Sequence, residues 1–165
     1  MAARSLGSTL LRKGTVLINV DYRKQIVSEF PDRTPELVDG QIAEVLKYLT
    51  ILSEGSKARF IPLTREADEI WHEMIVQTQL YFELCAALPG GRYIHHESIG
   101  MDGVAERIGR REAVTQFVEW IPDYTSRFGP FTEATASHWA VVQFLREEVG
   151  LSLDEVNALS SPVSV

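Results

Sequence analysis

Apolar residues recur at helical spacing along most of this chain. One such repeat consists of Ile42, Val45, Leu46 and Leu49. Thr34 stands before this repeat as a capping residue, and Pro35 fits the first helical position because its missing N–H would have no partner there. No stretch alternates apolar and polar residues for long enough to predict a strand. The pattern therefore predicts an all-α fold.

Capping residues, prolines and glycines divide the chain into about five to six predicted helices. They lie within residues 18–33, at 34–53, at 64–88, at about 104–127 with a break at Pro122, at 132–149, and in a short last helix that begins at the capping box of Ser152 and Glu155. The glycine-rich stretch 90–103 predicts an ordered loop. Together these elements predict a single compact helical domain over residues 1–165, with residues 1–18 as an arm and 158–165 as a frayed tail.

The predicted helix at 64–88 carries the broadest apolar face and is expected at the centre of the fold. Thr64 is its expected N-cap. Taken at about 100° per residue, one face of this helix predicts core positions. Its members are Ala67, Ile70, Trp71, Met74, Ile75, Thr78, Tyr81, Phe82 and Cys85. Trp71, Met74, Ile75 and Tyr81 are predicted to be among the most buried side chains.

Charge and composition restrict the partners of the protein. The formal net charge is −7, and no stretch is densely basic, whereas neutralising nucleic-acid phosphates needs clustered Lys and Arg. No apolar run approaches the roughly 20 residues that span a bilayer. A single cysteine excludes an internal disulfide. We therefore expect a soluble, cytoplasmic protein that binds a small molecule or a partner protein, and neither nucleic acid nor a membrane.

Three of the four histidines fall within residues 65–98, together with the cysteine. Asp68 and His72 lie one turn apart on the flank of the predicted central helix. His95 and His96 follow a glycine turn, and neighbours in an extended segment point to opposite faces, so at most one of these two is expected to be a ligand. Polar groups beside an apolar face need partners. We predict that the loop folds back and that Asp68 accepts a hydrogen bond from an imidazole.

Familiar metal motifs do not explain this cluster. Glu69 and His72 have the Glu-x-x-His spacing of di-iron bundles, but a second copy is missing, and Glu69 and Glu73 fall on a face expected to be solvated. The His72-Glu73 pair is not a metalloprotease motif, because Val76 stands where a second histidine is required. Cys85 is expected in the core, not as a nucleophile.

Three residues outside this region, His138, Trp120 and Trp139, also carry ring chemistry that invites a functional interpretation. His138 has no carboxylate or cysteine at ligand spacing and is expected on a helix flank. The three tryptophans are expected to be core anchors.

The order Asp68-x-x-Trp71-His72, Thr78-x-x-Tyr81, Cys85 and "GRYIHH" resembles the signature of the glycine-rich-domain-containing-protein-like family (DUF1399 group). The resemblance covers about residues 42–98. It implies an all-helical domain with a polar histidine cluster, and it implies no particular reaction. This chain departs from the family pattern after the histidine pair, where "ESIG" replaces a segment that contains proline.

Two functions fit these residues. In the first, the chain is an enzyme of a biosynthetic pathway. The enzyme could hold a Zn²⁺ or non-haem Fe²⁺ ion with His72, one of His95 and His96, and Asp68 as ligands. Alternatively, it could work without a metal, with Asp68, His72 and Tyr81 in general acid–base catalysis. In the second, the same side chains form a structural hydrogen-bond network in a non-catalytic interaction module.

Overall fold

The computed structural model describes residues 10–12, 15–55, 60–97 and 101–159. Helices dominate this part of the chain, which confirms the all-α prediction. They are α1 (Val20–Ser28), α2 (Pro35–Glu54), α3 (Arg65–Val76), α4 (Thr78–Ala87), α5 (Met101–Ile108), α6 (Arg110–Val118), α7 (Trp120–Phe128), α8 (Glu133–Ala136), α9 (Ala140–Glu147) and α10 (Leu153–Asn157). None of these helices is long and apolar enough to cross a membrane.

The described residues form more and shorter helices than predicted, and they group into two compact units. One unit comprises the described parts of Met1–Gly55 and Glu69–Ile94, and the other those of Ser56–Asp68 and His95–Val165. The boundary between Asp68 and Glu69 falls inside the continuous helix α3. The single-domain interpretation stays a prediction.

In the first unit, α2 is the longest helix and packs against α1 and the strand β2 (Thr15–Leu17). It starts as predicted, with the Thr34 side chain accepting from the Leu37 N–H and Pro35 in the first turn. The antiparallel strands β1 (Leu10–Arg12) and β2 (Thr15–Leu17) were not predicted. The arm expected over residues 1–18 stays a prediction; residues 1–9, 13 and 14 lie outside the described part.

The second unit is built around an aromatic cluster. Phe131 stacks on Tyr124 with ring centroids 3.8 Å apart, and Trp139 meets Tyr124 edge-on at 5.1 Å. Trp120 packs beside Trp139. Trp120 and Trp139 are fully buried, as expected of core anchors. Helix α7, which carries Trp120 and Tyr124, packs on α6, α9 and α10.

The predicted helix at 104–127 is three helices in the structure. The breaks lie at Gly109, whose φ is 88°, and at Glu119. Pro122 is not itself a helix break, because it lies in the first turn of α7. The N–H groups of a first turn make no hydrogen bond within the helix, so the N–H that proline lacks is not needed there.

The predicted helix at 132–149 is also divided. Between α8 and α9, Trp139 pairs with Leu63 in an isolated antiparallel β-bridge. His138 is buried at this break, and its carbonyl accepts from the Thr64 N–H at 3.0 Å, so the helix-flank assignment is wrong.

The C-terminal end of the described chain agrees with its local signals. The capping box of Ser152 and Glu155 is present at the start of α10. Gly150 follows α9 with a φ of 83°. Of the predicted frayed tail, Ala158 and Leu159 still bond to the last turn of α10, while residues 160–165 lie outside the described part.

The predicted helix at 64–88 is two helices, α3 and α4, separated at Gln77, where ψ is 63°. Trp71, Met74 and Tyr81 are fully buried as predicted. Ile75 is only half-buried, and Phe82 is 62% exposed. The break changes the direction of the faces of α4, so a helical wheel continued from α3 misplaces part of α4.

Candidate metal centre

Asp68 and His72 are positioned by the start of α3. The Thr64 side chain accepts from the Ala67 N–H at 3.4 Å, and its carbonyl accepts from the Asp68 N–H at 2.9 Å, so the predicted cap is present. Asp68 lies in the first turn, where the helix dipole favours a negative charge. One turn later His72 is exposed. Residues four apart share a helix face, so both side chains point to the same side.

His96 reaches Asp68 from the loop that follows α4. Its Nε2 lies 3.0 Å from Asp68 Oδ1, and the side chain is 11% exposed. A carboxylate can only accept, so the imidazole N–H donates. Ile94 is buried and His95 is exposed, which is the alternation of an extended segment. The structure confirms that the loop folds back and that Asp68 accepts from an imidazole; His96, not His95, is the histidine that turns toward α3.

Asp68, His72 and His96 each offer one ligand atom, and these atoms lie within 4.8 Å of one another. Among the described residues this is the only group of three or more such side chains close enough to hold a metal ion. Two ligand atoms bound at about 2.1 Å to one tetrahedral ion are about 3.4 Å apart. Closing the widest gap therefore requires a shift of up to about 1.4 Å, which side-chain rotation supplies.

The loop carrying His96 is anchored to the end of α2 by Arg92. Its guanidinium donates to the carbonyls of Leu52 at 2.7 Å, Ser53 at 3.1 Å and Gly55 at 2.6 Å. The last carbonyls of a helix have no partner within the helix, and a cation there is favoured by the dipole. Arg92 meets both needs.

Gly90 brings the same loop into close contact with α2. Its N–H donates to the Ser53 hydroxyl at 3.2 Å. A Cβ on Gly90 would lie 1.8 Å from the Ser53 carbonyl oxygen, far inside van der Waals contact. Only glycine permits this approach.

A buried chain of hydrogen bonds joins α3, α4 and the loop. The Trp71 indole N–H donates to the Tyr81 hydroxyl at 3.0 Å, and this hydroxyl donates to the Ile94 carbonyl at 2.8 Å. Burial raises the pKa of Tyr81, so the phenol keeps its proton. Tyr81 has no exposed surface, which argues against direct contact with a substrate; its place in the structure is that of a support for the loop.

Cys85 is buried on α4, as predicted, and burial raises the pKa of its thiol. Thiolate is the reactive form, and a buried thiol with a raised pKa reacts slowly. We expect the native protein to resist modification by a disulfide reagent such as DTNB at neutral pH, with about one thiol reacting once a denaturant is added. Rapid modification of the native protein would contradict this and would reopen a nucleophilic role for Cys85.

Three features of this region were not predicted: the Arg92 anchor, the close approach of Gly90, and an ion pair between Arg33 and Glu69. Arg33 also donates to Gln41 on α2 at 3.1 Å. Glu69, predicted on a solvated face, has a side chain that is 38% exposed and is paired with Arg33. One signal was available in the sequence, because the unpaired carbonyls at the end of α2 require donors from elsewhere in the chain.

Comparison with protein-family models, curated proteins and solved structures finds no match to this chain. The geometry of Asp68, His72 and His96 is therefore the basis for the function proposed below.

Proposed function

We propose that this protein is a small metal-dependent enzyme that acts on a small molecule, with Asp68, His72 and His96 as ligands of one divalent ion. The observation that carries the proposal is the convergence of three ligand atoms within 4.8 Å from two separate segments. Two imidazoles and a carboxylate are a common ligand set of catalytic zinc and of non-haem Fe²⁺. His95 is exposed and outside the group, so it is not one of the proposed ligands.

Three protein ligands leave at least one coordination position open. Asp68, His72 and His96 would hold Zn²⁺ as a Lewis acid that lowers the pKa of water to about 7, near neutral pH. The same three ligands would hold Fe²⁺ for chemistry with dioxygen. The exposure of His72 supports access from solvent to this position.

We further propose that the chain belongs with the glycine-rich-domain-containing-protein-like family that its motif resembles. The motif residues have related roles in the structure, which supports this assignment. Asp68, His72 and His96 form the cluster, and Trp71 and Tyr81 support it from the buried side. Of the two adjacent histidines of the motif, His96 is in the cluster and His95 is exposed.

A second candidate function is favoured by one observation: the hydrogen bond between His96 and Asp68 already gives both groups a partner without a metal. In this alternative, the cluster fixes the loop against α3 and the protein is a non-catalytic interaction module. The same pair could instead act as a general base with its orienting carboxylate. Metal binding separates these alternatives from the proposed function.

The test is metal content and affinity. We expect protein purified without an affinity tag to hold about one equivalent of zinc or iron by elemental analysis. In calorimetric titrations of the metal-free protein, His72→Ala and His96→Ala should each weaken metal binding. The loss should exceed the roughly 10–100-fold that follows when a residue supporting a ligand, but not touching the metal, is removed. The element retained by the purified protein identifies which of the two chemistries applies.

The matched control is His95→Ala, which makes the same substitution at the adjacent, exposed histidine. It should leave both stoichiometry and affinity unchanged. The metal centre would be rejected, and the structural network favoured, by either of two results. One is that all three variants bind metal as tightly as the unaltered protein, and the other is that the unaltered protein binds no metal.

A further inference from the structure

We infer that Tyr81 is a positioning residue of this centre, because its hydroxyl sets the spacing between the helix that carries Asp68 and His72 and the loop that carries His96. This inference rests on the proposed function and adds to it a residue that does not touch the metal.

On the helix side, the partner of Tyr81 is Trp71. This residue directly precedes His72 and lies three positions after Asp68 on α3. Its indole N–H donates to the Tyr81 hydroxyl at 3.0 Å, and its ring packs edge-on against Tyr48 at 5.1 Å. The indole is therefore held on two sides, and the part of α3 that bears both ligands is fixed relative to the hydroxyl.

On the loop side, the partner of Tyr81 is the Ile94 carbonyl at 2.8 Å. Ile94 is two residues before His96, and its own side chain is buried. In an extended segment, residues two apart point to the same face. The Ile94 carbonyl, which accepts from Tyr81, is thus only two residues before His96, the proposed ligand on this loop.

One hydroxyl therefore links the two sides of the centre through two short hydrogen bonds. The indole N–H and the Ile94 carbonyl are both buried, so water cannot readily take the place of the hydroxyl, and a phenylalanine would remove both hydrogen bonds. The separation of the ligand atoms would then no longer be fixed. Metal sites depend on such supporting groups for ligand orientation.

The experiment is Tyr81→Phe, tested with Co²⁺ and Zn²⁺ on the metal-free protein. We expect affinity for both ions to fall by about 10–100-fold, as for other outer supports of metal sites. The visible bands of bound Co²⁺ should also change in energy and intensity, because they respond to coordination geometry. A residue that only stabilised the fold would not change the spectrum of the folded, metal-loaded protein.

The control for general destabilisation is Leu49→Ala, which removes a fully buried side chain of α2. It should lower stability while leaving the Co²⁺ spectrum and the affinity of the folded protein unchanged. If Tyr81→Phe does not fold, Trp71→Phe removes the indole donor, together with part of the ring volume, and keeps the Tyr81 hydroxyl; it should still weaken Co²⁺ binding and shift the bands.

The outcomes separate the two proposals. If the unaltered protein binds neither Co²⁺ nor Zn²⁺, the proposed function fails and this inference fails with it. If the unaltered protein binds metal but a folded Tyr81→Phe, or Trp71→Phe in its place, keeps the same affinity and spectrum, the metal centre stands and the positioning role of Tyr81 is overturned.

Discussion

Replacing Trp71 with alanine should lower the free energy of unfolding by about 3–5 kcal/mol, the usual cost of deleting a large aromatic side chain from a core. Trp71 is 1% exposed. Its loss would leave a cavity beside Tyr48 and would remove the indole N–H that the Tyr81 hydroxyl accepts. Urea denaturation followed by circular dichroism measures the change.

The control for this prediction is Val76→Ala on the same helix. Val76 is 67% exposed, so its truncation removes little buried surface. Surface substitutions of this kind usually change stability by no more than about 0.5 kcal/mol. A loss of less than about 1 kcal/mol for Trp71→Ala would be too small for a core aromatic and would contradict the placement of α3.

Gly90→Ala is expected to have the second large effect. The new Cβ would lie 1.8 Å from the Ser53 oxygen and 2.5 Å from the Ser53 carbonyl carbon, both backbone atoms that a rotamer change cannot move. Either the loop or the end of α2 must shift, at a cost of about 3 kcal/mol, the upper end for overpacking. We expect that loss in urea denaturation, together with weaker metal binding, because the same loop carries His96.

Gly55→Ala is the matched control for this substitution. Gly55 follows α2 with a φ of −73°, which any residue adopts, and the nearest atom to an added Cβ is 3.6 Å away. Its effect on stability should stay within about 0.5 kcal/mol. If Gly90→Ala behaves like Gly55→Ala, the close packing of the loop on α2 does not exist in solution.

Features set by neighbours in sequence could be predicted. The start of α2 depends on Thr34 and Pro35, and the start of α10 on Ser152 and Glu155, all within one helical turn of the caps they form. Such local hydrogen bonds depend little on the rest of the fold. The Thr64 cap of α3 was predicted for the same reason.

The break at Gln77 could not be predicted, because neither glycine nor proline marks it. Gln77 is an ordinary helix former, and its side chain donates to Glu73 one turn earlier. Apolar spacing continues across the break, so Phe82 was placed in the core although it is 62% exposed. Tertiary packing overrides local preference at this position.

The candidate site was predictable in part. The spacing of Asp68 and His72, and the rule that only one of two adjacent histidines faces a site, follow from helix and strand geometry. That His96 is the one facing Asp68 depends on a contact across 28 residues. The loop that carries His96 is held in position by the bonds that Arg92 and Gly90 make to the end of α2. No periodicity in the sequence predicts such long-range bonds.

The bonds from Arg92 make the length of α2 part of the site. Its guanidinium pairs with carbonyls 37 to 40 residues earlier in the chain. Each residue inserted into or deleted from α2 would turn the helix end by about 100° and move it by about 1.5 Å, so the three acceptors would no longer face the guanidinium. The number of residues in α2 is thus tied to the position of the loop that carries His96, although α2 contributes no side chain to the cluster.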